Sequence, residues 1–162
     1  MDNENCKRVC CFTGHRKIDG EALSTLSILL DKALESLVSN GITVFRVGGA
    51  MGFDTLAALK VIELRSQNNN IRLELFLPCR EQAQKWDNLS QEYYAYILTQ
   101  ADSIIYVREN YTRGCMLERN RRMVEGSDFC IGYCMSDKGG SAYTLDYAKK
   151  KNVRVINLAT MM

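Results

Sequence analysis

The stretch that decides the fold is RVGGAMGFDTLAA, residues 46–58, where three glycines separate an apolar run from a helical pattern. Residues 42–47 have the β-branched composition of a strand, and residues 53–67 carry apolar side chains at helical spacing. Glycines at such a corner allow left-handed backbone conformations and let another group approach closely. The stretch therefore predicts a strand, a tight turn and a helix whose N-terminus faces the turn.

The same alternation of short and long apolar patterns continues along the chain. Strands are predicted at residues 8–12, 42–47, 71–77, 103–107, 129–133 and 153–158, and helices at 21–39, 53–67, 81–100, 115–125 and 141–151. The third helix is expected to break near Asn88. Strands that are apolar on both sides and alternate with helices predict a parallel sheet covered on both faces. We therefore expect one domain over residues 1–162, an α/β, Rossmann-like, open and mostly parallel doubly wound sheet with helices on both faces.

The composition argues against several classes of protein. The 162 residues are 46% hydrophobic and 25% charged, which is ordinary for a globular domain. No apolar run approaches the roughly 20 residues of a membrane span, and the N-terminal MDNENCKRVCCF lacks the features of a signal peptide. We therefore expect a cytoplasmic protein without a membrane partner. The net charge of +2 is small, so a nucleic-acid partner is not favoured.

The seven cysteines show no CxxC pair, and Cys10, Cys11 and Cys130 lie inside apolar runs. This pattern favours reduced thiols in the core, with a zinc site or a disulfide framework as the alternatives. We accordingly predict no metal site and no bound cofactor.

Two glycine corners are candidate ligand sites, because open α/β sheets bind ligands outside the carboxyl ends of their strands. In the first corner, free N–H groups at the start of a helix favour a phosphate. The second corner, Gly139-Gly140, is followed by Ser141 as the predicted N-cap. Asp54 would repel a phosphate, so we expect it to cap its helix or to accept hydrogen bonds from ribose hydroxyls. Tight-turn packing remains the alternative, since neither a Walker motif nor a full GxGxxG is present.

Other polar residues follow predicted strands. His15 is the only histidine, and the Arg16 beside it offers a guanidinium fork for a phosphate or carboxylate. Trp86 is expected either to stack on a base or to pack in the core, and Arg119 to point into the crevice. No catalytic residue is assigned. The predicted ligand-binding residues are Thr13, Gly14, His15, Arg16, Gly48, Gly49, Ala50, Gly52, Asp54, Trp86, Arg119, Gly139, Gly140, Ser141 and Thr144.

The order of these motifs resembles the YpsA-like family of the SLOG superfamily. The motifs are TGHR, GGAMGFDTLAA, a segment from the single proline to the tryptophan, MLERNRRMVEGSDFCIGY and GGSAYTLDYA, and they span residues 8–158. The superfamily includes the DprA-like DNA-processing proteins and the LOG nucleotide phosphoribohydrolases. The resemblance implies a Rossmann-like fold, a nucleotide-type ligand at the glycine corners and a homodimer as a candidate assembly.

The comparison with LOG enzymes bears on catalysis. Arg119 and Met123 match the arginine and the methionine four residues later in the LOG pattern. The PGGxGTxxE motif of that family is only partly matched: Lys138 replaces the proline, one extra residue precedes Thr144, and Tyr147 or Asp146 stands at the glutamate position. With Tyr147 at that position, the resemblance implies a phosphate cradle without the carboxylate that helps to cleave an N-glycosidic bond, and Asp54 and Asp146 are the candidates to substitute for it.

Three functions follow from this interpretation. The first is a non-catalytic or weakly catalytic nucleotide-binding protein that acts as a sensor or regulator. The second is a LOG-like hydrolase that cleaves the N-glycosidic bond of a nucleoside monophosphate. The third, favoured least, is single-stranded DNA binding as in DprA-like proteins. Such binding needs a row of basic residues, and the only candidates are Lys149, Lys150 and Lys151 with Arg121 and Arg122.

Overall fold

Six parallel strands form one sheet in the computed structural model, which describes residues 8–162. The strands are β1 Val9–Gly14, β2 Val44–Val47, β3 Arg72–Leu77, β4 Ser103–Tyr106, β5 Phe129–Tyr133 and β6 Arg154–Asn157. They pair in the order β4-β3-β2-β1-β5-β6, all in parallel. β1 therefore lies between β2 and β5, where the direction of strand addition reverses. The predicted fold class is confirmed.

Five α-helices cover the two faces of the sheet. They are α1 Gly20–Ser39, α2 Phe53–Gln67, α3 Asn88–Gln100, α4 Cys115–Val124 and α5 Gly140–Lys150, and a 3₁₀ turn follows at Leu158–Met161. α2 packs against α1 and α3 on one face, whereas α4 packs against α5 on the other. Within residues 8–162, no helix is both long enough and apolar enough to cross a bilayer.

The helices begin in two ways. Asp19 and Asp87 cap α1 and α3 through their carboxylates, which accept hydrogen bonds from the N–H groups of Glu21 and Ser90. α2, α4 and α5 instead follow Gly52, Gly114 and Gly139, and none of the three has a side-chain cap. These three helices therefore begin without a capping side chain that binds the N–H groups of their first turns.

Alternate side chains of the strands pack into two hydrophobic cores, one on each face of the sheet. Phe12, Phe45 and Leu75 pack with the apolar face of α1 and with α2. Cys11 and Cys130 pack with α4 and α5 on the other side of the sheet. The six cysteines among the described residues are buried free thiols, as their apolar surroundings predict: Cys10, Cys11, Cys79, Cys115, Cys130 and Cys134.

Three local predictions were wrong. The first strand was predicted to end at residue 12, but β1 includes Thr13 and Gly14, because they pair with Gly132 and Tyr133 of β5. The third helix was expected from residue 81, but α3 begins only after its cap at Asp87, so the expected break near its first residue is in fact its start. Ser141 was predicted as an N-cap, but it lies inside α5, whose cap is the left-handed Gly139.

Candidate functional site

The sheet topology brings the ends of β1, β2 and β3 together at one edge. Gly48 and Gly49 follow β2 directly, and the turn through Gly52 leads into α2. α4 comes from the other face of the sheet, yet its Arg119 reaches the ends of β2 and β3. Two helices on opposite faces thus meet over the end of β2, as expected for a ligand crevice in a fold of this kind.

Gly48 separates two buried side chains of opposite charge. A Cβ atom added at this position would lie 2.7 Å from Arg119 Nη1 and 2.9 Å from Asp54 Oδ2. Real Cβ atoms do not come so close, so only glycine fits here without displacing one of the charged groups. Arg119 is 4% exposed and Asp54 5% exposed, yet no salt bridge joins them in the part of the chain that the structure describes.

The Arg119 guanidinium is bound by uncharged oxygens. Its Nη1 donates to Gly48 O, to Phe76 O at 3.4 Å and to Gln82 Oε1 at 3.4 Å, and its Nε donates to Asn120 Oδ1 at 2.7 Å. Burial lowers the pKa of Arg119, while the nearby Asp54 carboxylate opposes that shift. The guanidinium thus remains a fixed positive group at the strand ends, oriented by backbone carbonyls.

Asp54 occupies the centre of the glycine corner. Its Oδ2 accepts a hydrogen bond from Ala50 N at 3.2 Å. Burial raises the pKa of Asp54 to about 6, although the charges of Arg119 and Arg16 and the Ala50 hydrogen bond all favour the ionised form. A carboxyl group with a pKa close to neutrality can act as a hydrogen-bond acceptor or exchange a proton with a ligand.

The first turn of α2 is partly used by the protein itself. Phe53 N donates to His15 O at 3.0 Å, so this helix donor is not free for a phosphate. Gly52 has a φ of +74°, and a Cβ there would lie 2.5 Å from His15 O. The glycine corner thus allows close backbone packing against the end of β1.

His15 joins the loops that follow β1 and β5. The imidazole Nε2 of His15 accepts a hydrogen bond from Met135 N at 2.8 Å, and the backbone N–H of His15 donates to Tyr133 O at 3.1 Å. The imidazole therefore has a structural role at the point where strand addition reverses. Arg16 is exposed, and its Nη2 lies 3.0 Å from Met116 Sδ at the start of α4, which places its charge over the same edge as Asp54 and Arg119.

A cavity of about 430 Å³ opens beside this cluster, between the segment after β3 and the start of α4. Trp86, Gln82, Lys85, Tyr111 and Met116 are among the residues that line it. The Trp86 ring is half-buried and packs edge-on against the ring of Tyr94, with 5.3 Å between ring centroids. The cavity thus combines aromatic surface with polar groups, as small-molecule sites commonly do.

The second glycine corner lies apart from this cluster. It follows β5 and begins α5, on the face of the sheet opposite α2. Cβ atoms added at Gly139 or Gly140 would meet no atom within 4 Å, and Gly139 has a φ of +96°. The hydroxyl of Thr144 donates to Gly140 O at 2.7 Å. This turn is therefore open, and among residues 8–162 no hydrogen bond connects it to Arg119 or Asp54.

The structure thus brings part of the predicted set together. Gly48, Gly49, Ala50, Asp54, Arg119 and Arg16 share one edge, and Trp86 lies on the adjoining cavity. Thr13, Gly14 and His15 position the backbone beside them, and Gly139, Gly140, Ser141 and Thr144 form a separate turn.

Two residues beside this cluster are absent from the predicted ligand-binding set. Gln82 is buried, and its amide bridges Arg119 to the carbonyls of Gly48 and Gly49. Tyr94 lies beside Gly49, and its buried hydroxyl has no hydrogen-bond partner among the described residues. The tryptophan four residues after Gln82 was the only available signal for this segment.

The sequence model of the YspA SLOG family matches residues 10–161 of the chain. Among curated proteins, the UPF0398 protein of Bacillus cereus strain G9842 is 28% identical over 154 residues, which cover 89% of this chain and 84% of that protein. The UPF0398 protein of Bacillus thuringiensis strain Al Hakam has the same identity and coverage.

Two solved structures share the fold. DNA processing protein A from Helicobacter pylori, whose structure concerns its binding of single-stranded DNA, aligns with a TM-score of 0.61 and 19% identity over 95% of this chain and 67% of that chain. DprA from Streptococcus pneumoniae aligns with a TM-score of 0.65 and 15% identity. That alignment covers 92% of this chain but only 49% of the pneumococcal one, so the chain spans about half of that protein.

Proposed function

Because the chain belongs to the YspA SLOG family, we propose that it binds a nucleotide or nucleotide derivative and acts as a sensor or regulator in the cytoplasm. A homodimer is the assembly that we propose with it. The ligand would lie at the ends of β2 and β3. It would contact Asp54 and Arg119 and extend into the adjoining cavity.

The observation that carries this proposal is the pair of buried opposite charges that do not touch. A buried charge is costly unless it is paired or fully hydrogen-bonded. Asp54 accepts one backbone hydrogen bond, and its raised pKa shows that its charge is poorly compensated. A ribose fits such a pair, because each hydroxyl can donate to a carboxylate and accept from a guanidinium or amide.

The surrounding groups suit the rest of a nucleotide. Trp86 and Tyr111 on the cavity wall offer aromatic surface for a base. Exposed Arg16 carries a fork that matches phosphate oxygens. The open turn at Gly139 and Gly140 offers unoccupied helix N–H groups to a longer ligand, such as a dinucleotide.

One observation favours hydrolysis as a second candidate function. The positions that replace the LOG glutamate point elsewhere: the Tyr147 hydroxyl donates to Glu125 at 2.6 Å, and Asp146 is exposed. Asp54, however, combines a pKa of about 6 with a place close to Arg119. A carboxyl group of that pKa could activate water or stabilise positive charge at an anomeric carbon.

Isothermal titration calorimetry with AMP, 2′-deoxy-AMP, GTP, NAD and ADP-ribose tests the binding proposal. We expect at least one ribonucleotide to bind well below millimolar, and its 2′-deoxy form to bind about tenfold or more weakly because a hydrogen-bonding group is missing. Asp54→Asn and Arg16→Ala should weaken binding. Arg122→Ala, which removes the same charge from an exposed position on α4, is the matched control.

Two results would contradict the proposal. One is the lack of any binding tighter than about 1 mM, which corresponds to roughly −4 kcal/mol. The other is equal affinity of the wild type and Asp54→Asn for every ribonucleotide bound. The hydrolase candidate is tested separately by incubating the protein with AMP and measuring free adenine by chromatography. Release that is unchanged in Asp54→Asn would exclude a catalytic role for this site.

A further inference from the structure

Two tyrosines form an ordered aromatic column on the outer surface of α5, whereas Asp54 belongs to α2 on the other face of the sheet. The rings of Tyr143 and Tyr147 are stacked, with centroids 6.2 Å apart and ring planes 13° from parallel. Lys151 places its ammonium group 5.5 Å from the centroid of the Tyr147 ring. The column repeats every four residues, which is the spacing that aligns side chains on one helix face.

Both rings are held by contacts with the C-terminal end of α4 and with Glu125, the residue that caps it. Arg121 donates from Nη1 to the Tyr143 hydroxyl at 3.2 Å, and the Tyr147 hydroxyl donates to Glu125 at 2.6 Å. Rings held at their hydroxyl ends lose little further freedom when a ligand stacks on them. The arrangement is therefore a rigid platform rather than two independent surface side chains.

One face of this platform is open. Tyr147 has neighbours one turn before and one turn after it in the column, whereas Tyr143 is the terminal ring and is 39% exposed. Beyond it, at the start of α5, Cβ atoms added at Gly139 or Gly140 would meet nothing within 4 Å. A planar group of the size of a base could thus extend the column at Tyr143.

The charge around the rings suits a polyanion. Arg121 lies at the edge of Tyr143, and Lys150 and Lys151 are exposed at the other end of the column. Of the carboxylates nearby, Glu125 is engaged by the Tyr147 hydroxyl, Glu118 is paired with Arg108, and Asp146 is exposed. Alternating aromatic surface and cations is the arrangement by which proteins hold single strands, through base stacking and backbone attraction.

We propose that the Tyr143–Tyr147 column, with Arg121 and Lys151, is a binding surface for single-stranded nucleic acid. The bases stack on the open face of Tyr143, and the phosphates lie along the cations of α4 and α5. The surface does not include Asp54 or Arg119 and does not depend on them, although its open end lies beside the Gly139-Gly140 turn. Duplexes fit poorly, because their bases are already stacked and their flat faces are covered.

Fluorescence anisotropy with labelled dT₂₀, rU₂₀ and a 20-base-pair DNA duplex tests this proposal on the full chain. We expect a single strand to bind and the duplex to bind more weakly, and the two single-strand arms distinguish DNA from RNA. Tyr143→Ala should weaken binding about 5- to 150-fold, the range found when one stacking aromatic is removed. Tyr143→Phe keeps the ring and should retain most of the affinity.

Two controls separate this surface from other causes. Tyr93→Ala removes a tyrosine that is 43% exposed on α3, on the opposite face of the sheet, and should leave binding unchanged. Asp54→Asn should also leave it unchanged, whatever its effect on mononucleotides. The proposal is overturned if neither single strand binds at about 100 µM protein in low salt, if the duplex binds as tightly, or if Tyr143→Ala behaves as Tyr93→Ala.

Discussion

Replacing Asp54 with asparagine should stabilise the protein at neutral and alkaline pH. The carboxyl group is 5% exposed, and burial raises its pKa from 3.8 to about 6 despite the favourable charges of Arg119 and Arg16. Asparagine has nearly the same shape, carries no charge, and keeps an oxygen that can accept the hydrogen bond from Ala50 N. The substitution therefore removes the cost of ionisation and little else.

The sign of the pH dependence follows from the direction of the shift. The folded protein binds a proton at Asp54 more tightly than the unfolded chain, so the stability from this group is fully present below the unfolded pKa of 3.8 and is lost as pH rises through about 6. The difference between a pKa of 3.8 and one of about 6 corresponds to about 3 kcal/mol. Wild-type protein should thus be about 3 kcal/mol less stable than Asp54→Asn near pH 8.

Urea unfolding of both proteins at two pH values measures this difference. We expect the advantage of Asp54→Asn to fall from about 3 kcal/mol near pH 8 to about 1 kcal/mol near pH 4.5, where the folded wild type is mostly protonated. Asp146→Asn, an exposed position on α5, is the matched control and should show no such trend. A variant that is less stable than the wild type at pH 8, or a difference that does not change with pH, would refute the reasoning.

Three further substitutions test the packing of the two glycine turns and the hydrogen bond by which His15 joins the loops after β1 and β5. Gly48→Ala should destabilise the protein by about 1–3 kcal/mol, because its Cβ would displace Arg119, and should abolish nucleotide binding; urea titration and calorimetry measure the two effects. Gly139→Ala should cost only about 1 kcal/mol, since its φ of +96° is strained but the space around it is open, and an equal loss at both glycines would contradict the contact argument. His15→Ala leaves Met135 N without its acceptor and should lower stability by about 1 kcal/mol, whereas an unchanged midpoint would mean that water replaces the imidazole there.

The fold was largely predictable because each element carries its own local signal. Apolar runs marked the strands, and helical spacing such as that of Leu26, Leu30, Leu34 and Leu37 marked α1. The errors occurred where distant contacts decide the structure. Thr13 has the polarity of a loop residue, but pairing with Gly132 of β5 keeps it in the strand. The strand order, with β1 between β2 and β5, also depends on long-range pairing that no local pattern encodes.

The site was predicted less completely than the fold. The glycines and Asp54 were predicted because three glycines at a strand-to-helix corner indicate either tight-turn packing or the close approach of another group. The reason for Gly48 could not be seen, since it depends on Arg119, 71 residues later, which reaches across the sheet edge to its carbonyl oxygen. Gln82 is absent from the predicted set for the same reason: its hydrogen bonds join two other segments of the chain. The separation of the two glycine turns follows from the opposite placement of α2 and α5, which spacing alone does not determine.

The cost of ionised Asp54 bears directly on whether the site has a function. Natural domains are stable by only about 5–15 kcal/mol, so about 3 kcal/mol at one residue is a large fraction. A purely structural carboxylate would be expected to stabilise its surroundings, and its removal would lower stability without a specific effect on ligands. A binding carboxylate has the opposite signature, because active sites commonly retain groups that destabilise the free protein. Asp54→Asn should therefore gain stability and lose ribonucleotide affinity in the same preparation, and a gain of stability with unchanged affinity would leave the buried charge without a ligand to explain it.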